Sequence, residues 1–445
     1  MTGNRLAEGF WVLVLASLIA SGLNLAGNFV GEGFASPQPE ASAEGPTLVH
    51  APDSALVLRD TLPIVKPDTQ VADPLARFRA ACMRTREGND QVRIAYFGDS
   101  MIEGDLLTET LRSLLQNKLG GTGVGFVPIV SQTYGFRRTV YHRFSEGWNT
   151  IQALQPRTVP HAFGISGEYF LATRAHAPGA VWVMYKGVSA QPQTQQFEEA
   201  YLTYGRLPEG KSDSARIIVT TDAGQDTLSL AGNQVINRIR LIRKATRQLK
   251  VAFDIPDQLP VYGVSFESPA GVQVDNFPAR GATGLQLVRL PGAALERYQQ
   301  YHGYDLVILH YGLNLVSADR DSYDNYARSL EQIIQHLRNH MPGADILVVS
   351  VSDKASRIKG VLQTDPSVPR IVAAQQQAAQ LMGCGFLNLY EQMGGEGTII
   401  KWASEKPTLA RSDYAHPNRA GAAVLGELVY TYLQGNDSLV VPPLP

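Results

Sequence analysis

The sequence predicts an α/β protein, a three-layer, doubly wound parallel sheet interrupted by an inserted β-sandwich. Three observations carry this expectation. Toward both ends of the folded part, apolar runs of strand length alternate with amphipathic helical stretches, the rhythm of a parallel sheet covered by helices on both faces. Between about 155 and 270 the helical patterns stop. Short runs rich in Val, Ile, Tyr and Phe follow one another there, bounded by Gly, Pro, Asn and Asp, as in a sandwich. The chain of 445 residues is 44% hydrophobic and 18% charged, which is globular composition with room for more than one domain. A net charge of -2 and the absence of any long basic run exclude nucleic acid as the main partner.

The elements follow in order. FWVLVLASLIASGLNLAGNFV, Phe10 to Val30, is long enough to span a bilayer and has Arg5 before it. Residues 1–30 are therefore expected to be a signal peptide or a membrane anchor, with an extracytoplasmic address either way. Residues 31–75, rich in Pro, Ala, Glu and Ser, read as a flexible linker. ADPLARFRAACMRTRE predicts a helix, VRIAYFG a buried strand, and LLTETLRSLLQNKLGG a helix stopped by Gly120 and Gly121. The β-rich runs are AVWVMYKG, EEAYLTYG, ARIIVTTD, DTLSLAG, LKVAFDI and VYGVSFES. From 271 the α/β rhythm returns. VQVDNFPARGATG is a strand with a glycine-rich turn, DLVILHYGLN a strand, and YDNYARSLEQIIQHLRNHMPG a helix. ADILVVSVSD is a strand, RIVAAQQQAAQLMGC a helix, GFLNLYE a strand and RAGAAVLGELVYTYLQG a final helix. The expected domains are 76–154 joined with 271–445, and 155–270 inserted between them.

In such sheets reactive groups gather at the carboxyl ends of the strands. Ser100 stands where the first strand stops, either as a helix cap or as a nucleophile. A serine hydroxyl needs a base, and the base needs an orienting group. His416 and Asp413, three apart in SDYAHPN, can supply both. The oxyanion of an acyl transfer needs aimed donors, which the Ser100 and Gly281 backbone N–H groups and the Asn314 side chain can offer.

FGDS at 97–100, the glycine of ARGATG at 281, YGLN at 311–314 and DYAHPN at 413–418 together resemble the four sequence blocks of the SGNH (GDSL-type) hydrolases, in their order. The departure is Met101, where Leu or Ile is commoner. The resemblance covers about 97–150 and 271–435. It implies the flavodoxin-like SGNH fold, with Ser100 as nucleophile, His416 as base and Asp413 as its partner. It also implies an oxyanion hole of Ser100, Gly281 and Asn314. The β-rich insertion, GGTGVGFVP and IIKWASEKPTLARSDYAHPNRAG look like bacterial peptidoglycan O-acetylesterases, in which the inserted module resembles a carbohydrate-binding sandwich. The implied activity is a serine esterase removing acetyl groups from an envelope polysaccharide, with no cofactor and no metal. An O-acetyltransferase with the same triad and a non-catalytic glycan-binding protein are the alternatives.

Other signals have plainer readings. GGTGVGF follows a helix rather than a strand, so it fails the context of a dinucleotide loop. His336 and His340 lie four apart without the glutamate of a zinc-protease motif, and read as a solvated helix face. His310, Lys354 and Asp353 are as consistent with scaffold as with a pocket wall. Trp148 and Trp402 suit sugar stacking or core equally. Asp99 is expected to anchor its turn. Cys82 and Cys384 fit a disulfide or two buried thiols, and with no C-x-x-C pair they exclude a cysteine-built zinc site. The sequence does not set the oligomeric state.

Overall fold

VRIAYFG contains no alternation, and a strand without alternation has both faces covered. In the computed structural model of the protein the strand Gln91–Gly98 is buried from Val92 onward. The structure describes residues 73–435, except 88–89, 155–158, 174–179, 190, 210–214 and 257. The apolar segment 10–30 and nearly all of the linker 31–75 lie outside the described residues. Leu75, at the linker's expected end, is instead fully buried in the core. Among the described residues no helix is long and apolar enough to cross a membrane.

Five parallel strands form the central sheet in the spatial order Gly271–Pro278, Gln91–Gly98, Tyr304–His310, Asp345–Val349, Gly385–Leu387. The chain thus lays its second parallel strand on one side of the first and the remaining three on the other. That reversal creates a switch point at the carboxyl end of the first strand, where loops diverge and leave a crevice. The helices Ala76–Glu87, Thr108–Leu119 and Arg419–Leu433 pack together on one face. Gly292–His302, Asp324–His340 and Val368–Leu381 pack together on the other, which gives three layers. Asp324–His340 buries Tyr326, Ala327, Leu330, Ile333, Ile334 and Leu337, the three-and-four spacing of an amphipathic helix.

The insertion contains two antiparallel sheets. One has the order Asn237–Arg240, Glu199–Tyr204, Val261–Glu267, Glu168–Ala172, Trp148–Gln152, with Gly125–Pro128 also paired to Val261–Glu267. The other has the order Tyr141–Phe144, Val181–Lys186, Gln248–Asp254, Arg216–Thr221, Gly224–Ser229. A core that includes Val183, Tyr185, Leu202, Val219, Val251, Val264 and Phe266 lies between them. All six β-rich runs of the sequence are strands here.

Several elements differ from expectation. Antiparallel pairing begins well before residue 155, because Gly125–Pro128, Tyr141–Phe144 and Trp148–Gln152 join these sheets. YHRF and WNTIQ carry too little apolar content to signal strands. The GFLNLYE strand ends at Leu387, where Asn388 accepts from the Glu391 N–H at 3.1 Å and opens the short helix Leu389–Gln392. The helix Gly292–His302, framed by Pro291 and by Gly303 at φ 61°, had no expectation. Nor had the hairpin Ala355–Ile358 with Val361–Thr364, whose turn residues Lys359 and Gly360 both have positive φ, as a two-residue hairpin turn requires.

Candidate active site

At the carboxyl end of the first strand the chain tightens into the 3-10 turn Ser100–Asp105. Asp99, not Ser100, caps this turn, because its Oδ1 accepts from the Met101 N–H at 3.0 Å. The expectation that Asp99 anchors the turn is met, and the Ser100 hydroxyl is left to face a cavity of about 280 Å³. Met101, Leu106, Gly281, Asn314, Asp413 and His416 line the same cavity.

His416 arrives from the loop before the last helix, 316 residues downstream, and its Nε2 lies 2.8 Å from Ser100 Oγ. Its Nδ1 lies 2.9 Å from Asp413 Oδ2. Asp413 Oδ1 accepts from the Ala415 and His416 N–H groups, each at 3.0 Å. One carboxylate therefore folds the Asp-x-x-His turn with one oxygen and aligns the imidazole with the other. Partial burial works against ionisation of Asp413. The donors from His416 and Ala415 outweigh it and hold the carboxyl below its ordinary pKa. The loop is fixed from outside by Ala355 N–H to Tyr414 O at 2.9 Å and by Arg411 N–H to His416 O at 2.9 Å. Asn418 then caps the last helix, accepting from the Gly421 N–H at 3.1 Å.

Gly281 follows the second parallel strand and has φ 72°, with nothing near the position a Cβ would occupy. Asn314 follows the third. Its Nδ2 donates to Ala282 O at 2.9 Å and to Asp99 Oδ2 at 3.1 Å. Ser100, Gly281 and Asn314 thus come from three adjacent strand ends at the switch point. Asp99 is 1% exposed, and burial pushes its carboxyl up to about 7; the Met101 N–H works against this and the Glu103 charge adds to it.

Three charged side chains at the cavity, Glu103, Arg280 and Arg411, went unremarked in the sequence. Glu103 and Arg280 form a two-point ion pair, Nε to Oε1 and Nη2 to Oε2, both at 2.6 Å. ARGATG holds Arg280 beside Gly281, so the motif contained that signal.

The remaining residues have scaffold roles. His310 is 2% exposed and bonds the Tyr96 hydroxyl at 3.2 Å through Nδ1; burial lowers its pKa to about 4. Asp353 accepts from Thr364 Oγ1 and the Ile399 N–H, both at 2.9 Å, and Lys354 Nζ donates to Val316 O at 3.1 Å. Trp402 is 5% exposed in the core, and Trp148 packs edge-on to Phe253. His336 bonds Leu290 O and His340 bonds Glu296, each through one ring nitrogen. Cys82 and Cys384 are not bonded to each other, and burial raises the Cys384 thiol to about 11.

Residues 255–424 match the model of the GDSL-like lipase/acylhydrolase family. A solved structure of a peptidoglycan O-acetylesterase superposes with a TM-score of 0.65 at 19% identity, over 82% of this chain and 98% of that one. A lipase/acylhydrolase from Enterococcus faecalis overlaps at 18% identity, 39% of this chain, 80% of that one and TM-score 0.27. A family two carbohydrate esterase from Cellvibrio japonicus overlaps at 11% identity, 65% of this chain, 98% of that one and TM-score 0.27. A search of curated protein sequences finds no match. The fold is that of the peptidoglycan O-acetylesterase structure, and residues 255–424 are similar to the GDSL-like lipase/acylhydrolase family.

Proposed function

We propose that this chain is an exported serine esterase that removes O-acetyl groups from a cell-envelope polysaccharide, peptidoglycan foremost, through an acetyl-serine intermediate on Ser100. The observation that carries the reading is the unbroken run Ser100 Oγ to His416 Nε2 at 2.8 Å and His416 Nδ1 to Asp413 Oδ2 at 2.9 Å. Export rests on the apolar segment Phe10 to Val30, and the polysaccharide on the likeness to the peptidoglycan O-acetylesterase.

In this reading His416 Nε2 takes the Ser100 proton as Oγ bonds the acetyl carbonyl carbon. Asp413 holds the tautomer with Nδ1 protonated and stabilises the imidazolium that forms. The oxyanion is met by the Ser100 and Gly281 N–H groups and by Asn314 Nδ2. For Asn314 that means exchanging its bond to Asp99 Oδ2 for one to the oxyanion. Each such donor contributes about 3–4 kcal/mol to transition-state stabilisation in comparable sites. The intermediate collapses, the sugar oxygen leaves with the proton from His416, and Ser100 keeps the acetyl group. Water then attacks, giving its proton to His416, and acetate departs as Ser100 Oγ recovers a proton.

The test is turnover of p-nitrophenyl acetate and acetate release from O-acetylated peptidoglycan. Ser100→Ala and His416→Ala should each lower kcat roughly a thousandfold or more, and Asp413→Ala somewhat less. Wild-type rates in the first two variants would remove the triad. Acetate release weighed against acetyl transfer to added glycan separates hydrolase from transferase.

A further inference from the structure

Beside the catalytic cavity lies a larger one of about 400 Å³, within the range of about 300–1,000 Å³ typical of small-molecule sites. Asn276 and Pro278, at the end of the second parallel strand, form one wall. Thr150, Gln152 and Glu168, on two antiparallel strands of the insertion, form another. Glu103 and Arg280 line both cavities, so their ion pair is a shared partition. The triad chemistry uses nothing in this second space.

Its lining suits hydroxyl groups. Asn276 is 4% exposed, and its Nδ2 donates to Ile102 O at 2.8 Å and to Asp105 Oδ1 at 2.7 Å. Its Oδ1 has no hydrogen-bond partner. A buried amide oxygen without a donor carries a desolvation penalty that a bound donor relieves. Glu168 accepts from Gln152 Nε2 at 2.6 Å. Burial pushes the Glu168 carboxyl up to about 7, so near neutrality it donates as well as accepts. Arg137 and Arg280 also line the space, but Asp105 takes up the charge of the first at 2.8 Å and Glu103 that of the second at 2.6 Å, so no free cation for a phosphate stands among the described lining residues. On the loop that carries Gln132 at the rim, Tyr134 and Phe136 are 38% and 40% exposed, and aromatic faces cover the apolar side of sugar rings.

We infer that this second cavity binds an adjoining sugar unit of the polysaccharide whose acetyl group enters at Ser100, with Asn276, Gln152 and Glu168 engaging its hydroxyls. The inference rests on the proposed function and names how that site holds a polymer rather than a small ester.

The experiment measures kcat/KM of the purified full chain on O-acetylated peptidoglycan and on p-nitrophenyl acetate. Thr150→Trp fills the space from an exposed rim position, and Gln152→Ala removes a polar contact outside the apolar core. In each variant the polymer-to-small-ester ratio of kcat/KM should fall about tenfold, carried by KM on the polymer. An unchanged ratio in both variants, with the wild type active on the polymer, overturns the cavity assignment and leaves the proposed function standing. A wild type that hydrolyses the small ester but releases no acetate from the polymer overturns both.

Discussion

At the residue scale, Asp99 joins the pieces of the site. It caps the turn below Ser100 and accepts a bond from Asn314, while lying 1% exposed. Burial raises its carboxyl from the ordinary 3.8 to about 7. The folded protein therefore binds more protons than the unfolded chain between about pH 4 and 7, and this group lowers stability as pH rises through that window. Asp99→Asn keeps an acceptor for the Met101 N–H and removes the titration. The difference in Tm, variant minus wild type, should be more positive at pH 8 than at pH 5. Differential scanning calorimetry checks it, and the opposite trend would show that burial does not govern this carboxyl. Ser100, Gly281, Asn314, Asp413 and His416 were legible because short motifs record chemistry at fixed spacing. Asn276 and Glu168 were not, since an orphan acceptor and a buried carboxyl exist only once neighbours close around them.

At the scale of elements, Asp105 ties the turn after the first strand to the loop before Tyr141–Phe144. Its carboxylate, 0% exposed, accepts from Arg137, Arg112, Thr139 and Asn276. Burial opposes its ionisation, but Arg137 and Arg112 outweigh this and lower the pKa to about 2. A depressed carboxylate contributes stability above its unfolded pKa near 3.8, lost as pH falls through the folded value near 2. Asp105→Asn leaves two arginines under-neutralised and should cost about 3–5 kcal/mol at pH 7 in denaturant unfolding. The deficit should shrink between pH 4 and pH 2. Asp105 itself has φ 62°, a strained value for a residue with a Cβ, held by these bonds. None of this was readable from SMIEGD, because its partners stand in the next helix, in a later loop and in the second parallel strand.

At the scale of the whole molecule, the insertion is not a bead on a string. Phe126, Ile151, Phe163, Ile165, Tyr169 and Tyr262 belong to the same core as the parallel sheet. Arg93 in the first strand pairs with Glu267 of the insertion at 2.7 Å and with Asp275 of the second parallel strand at 3.3 Å. Arg238 of the insertion also holds Glu267, at 2.7 Å. Shared core and shared charges imply one cooperative unit. Chemical denaturation should give one transition by fluorescence and by circular dichroism. Glu267→Gln should shift that single transition by about 3–5 kcal/mol rather than split it. Two transitions in the wild type would show the parts folding independently.

The sequence by itself determined the alternating α/β frame, the six apolar strands of the insertion and the motifs that carry the candidate triad. Each of these is a local property, a period or a spacing that survives in one dimension. Only the tertiary structure decided that antiparallel pairing reaches back before residue 155, because polar edge strands such as YHRF acquire their identity from a partner. It alone brought His416 to Ser100 and opened two cavities on either side of Glu103 and Arg280. Concavity and burial arise between segments far apart in the chain, so no local pattern encodes them.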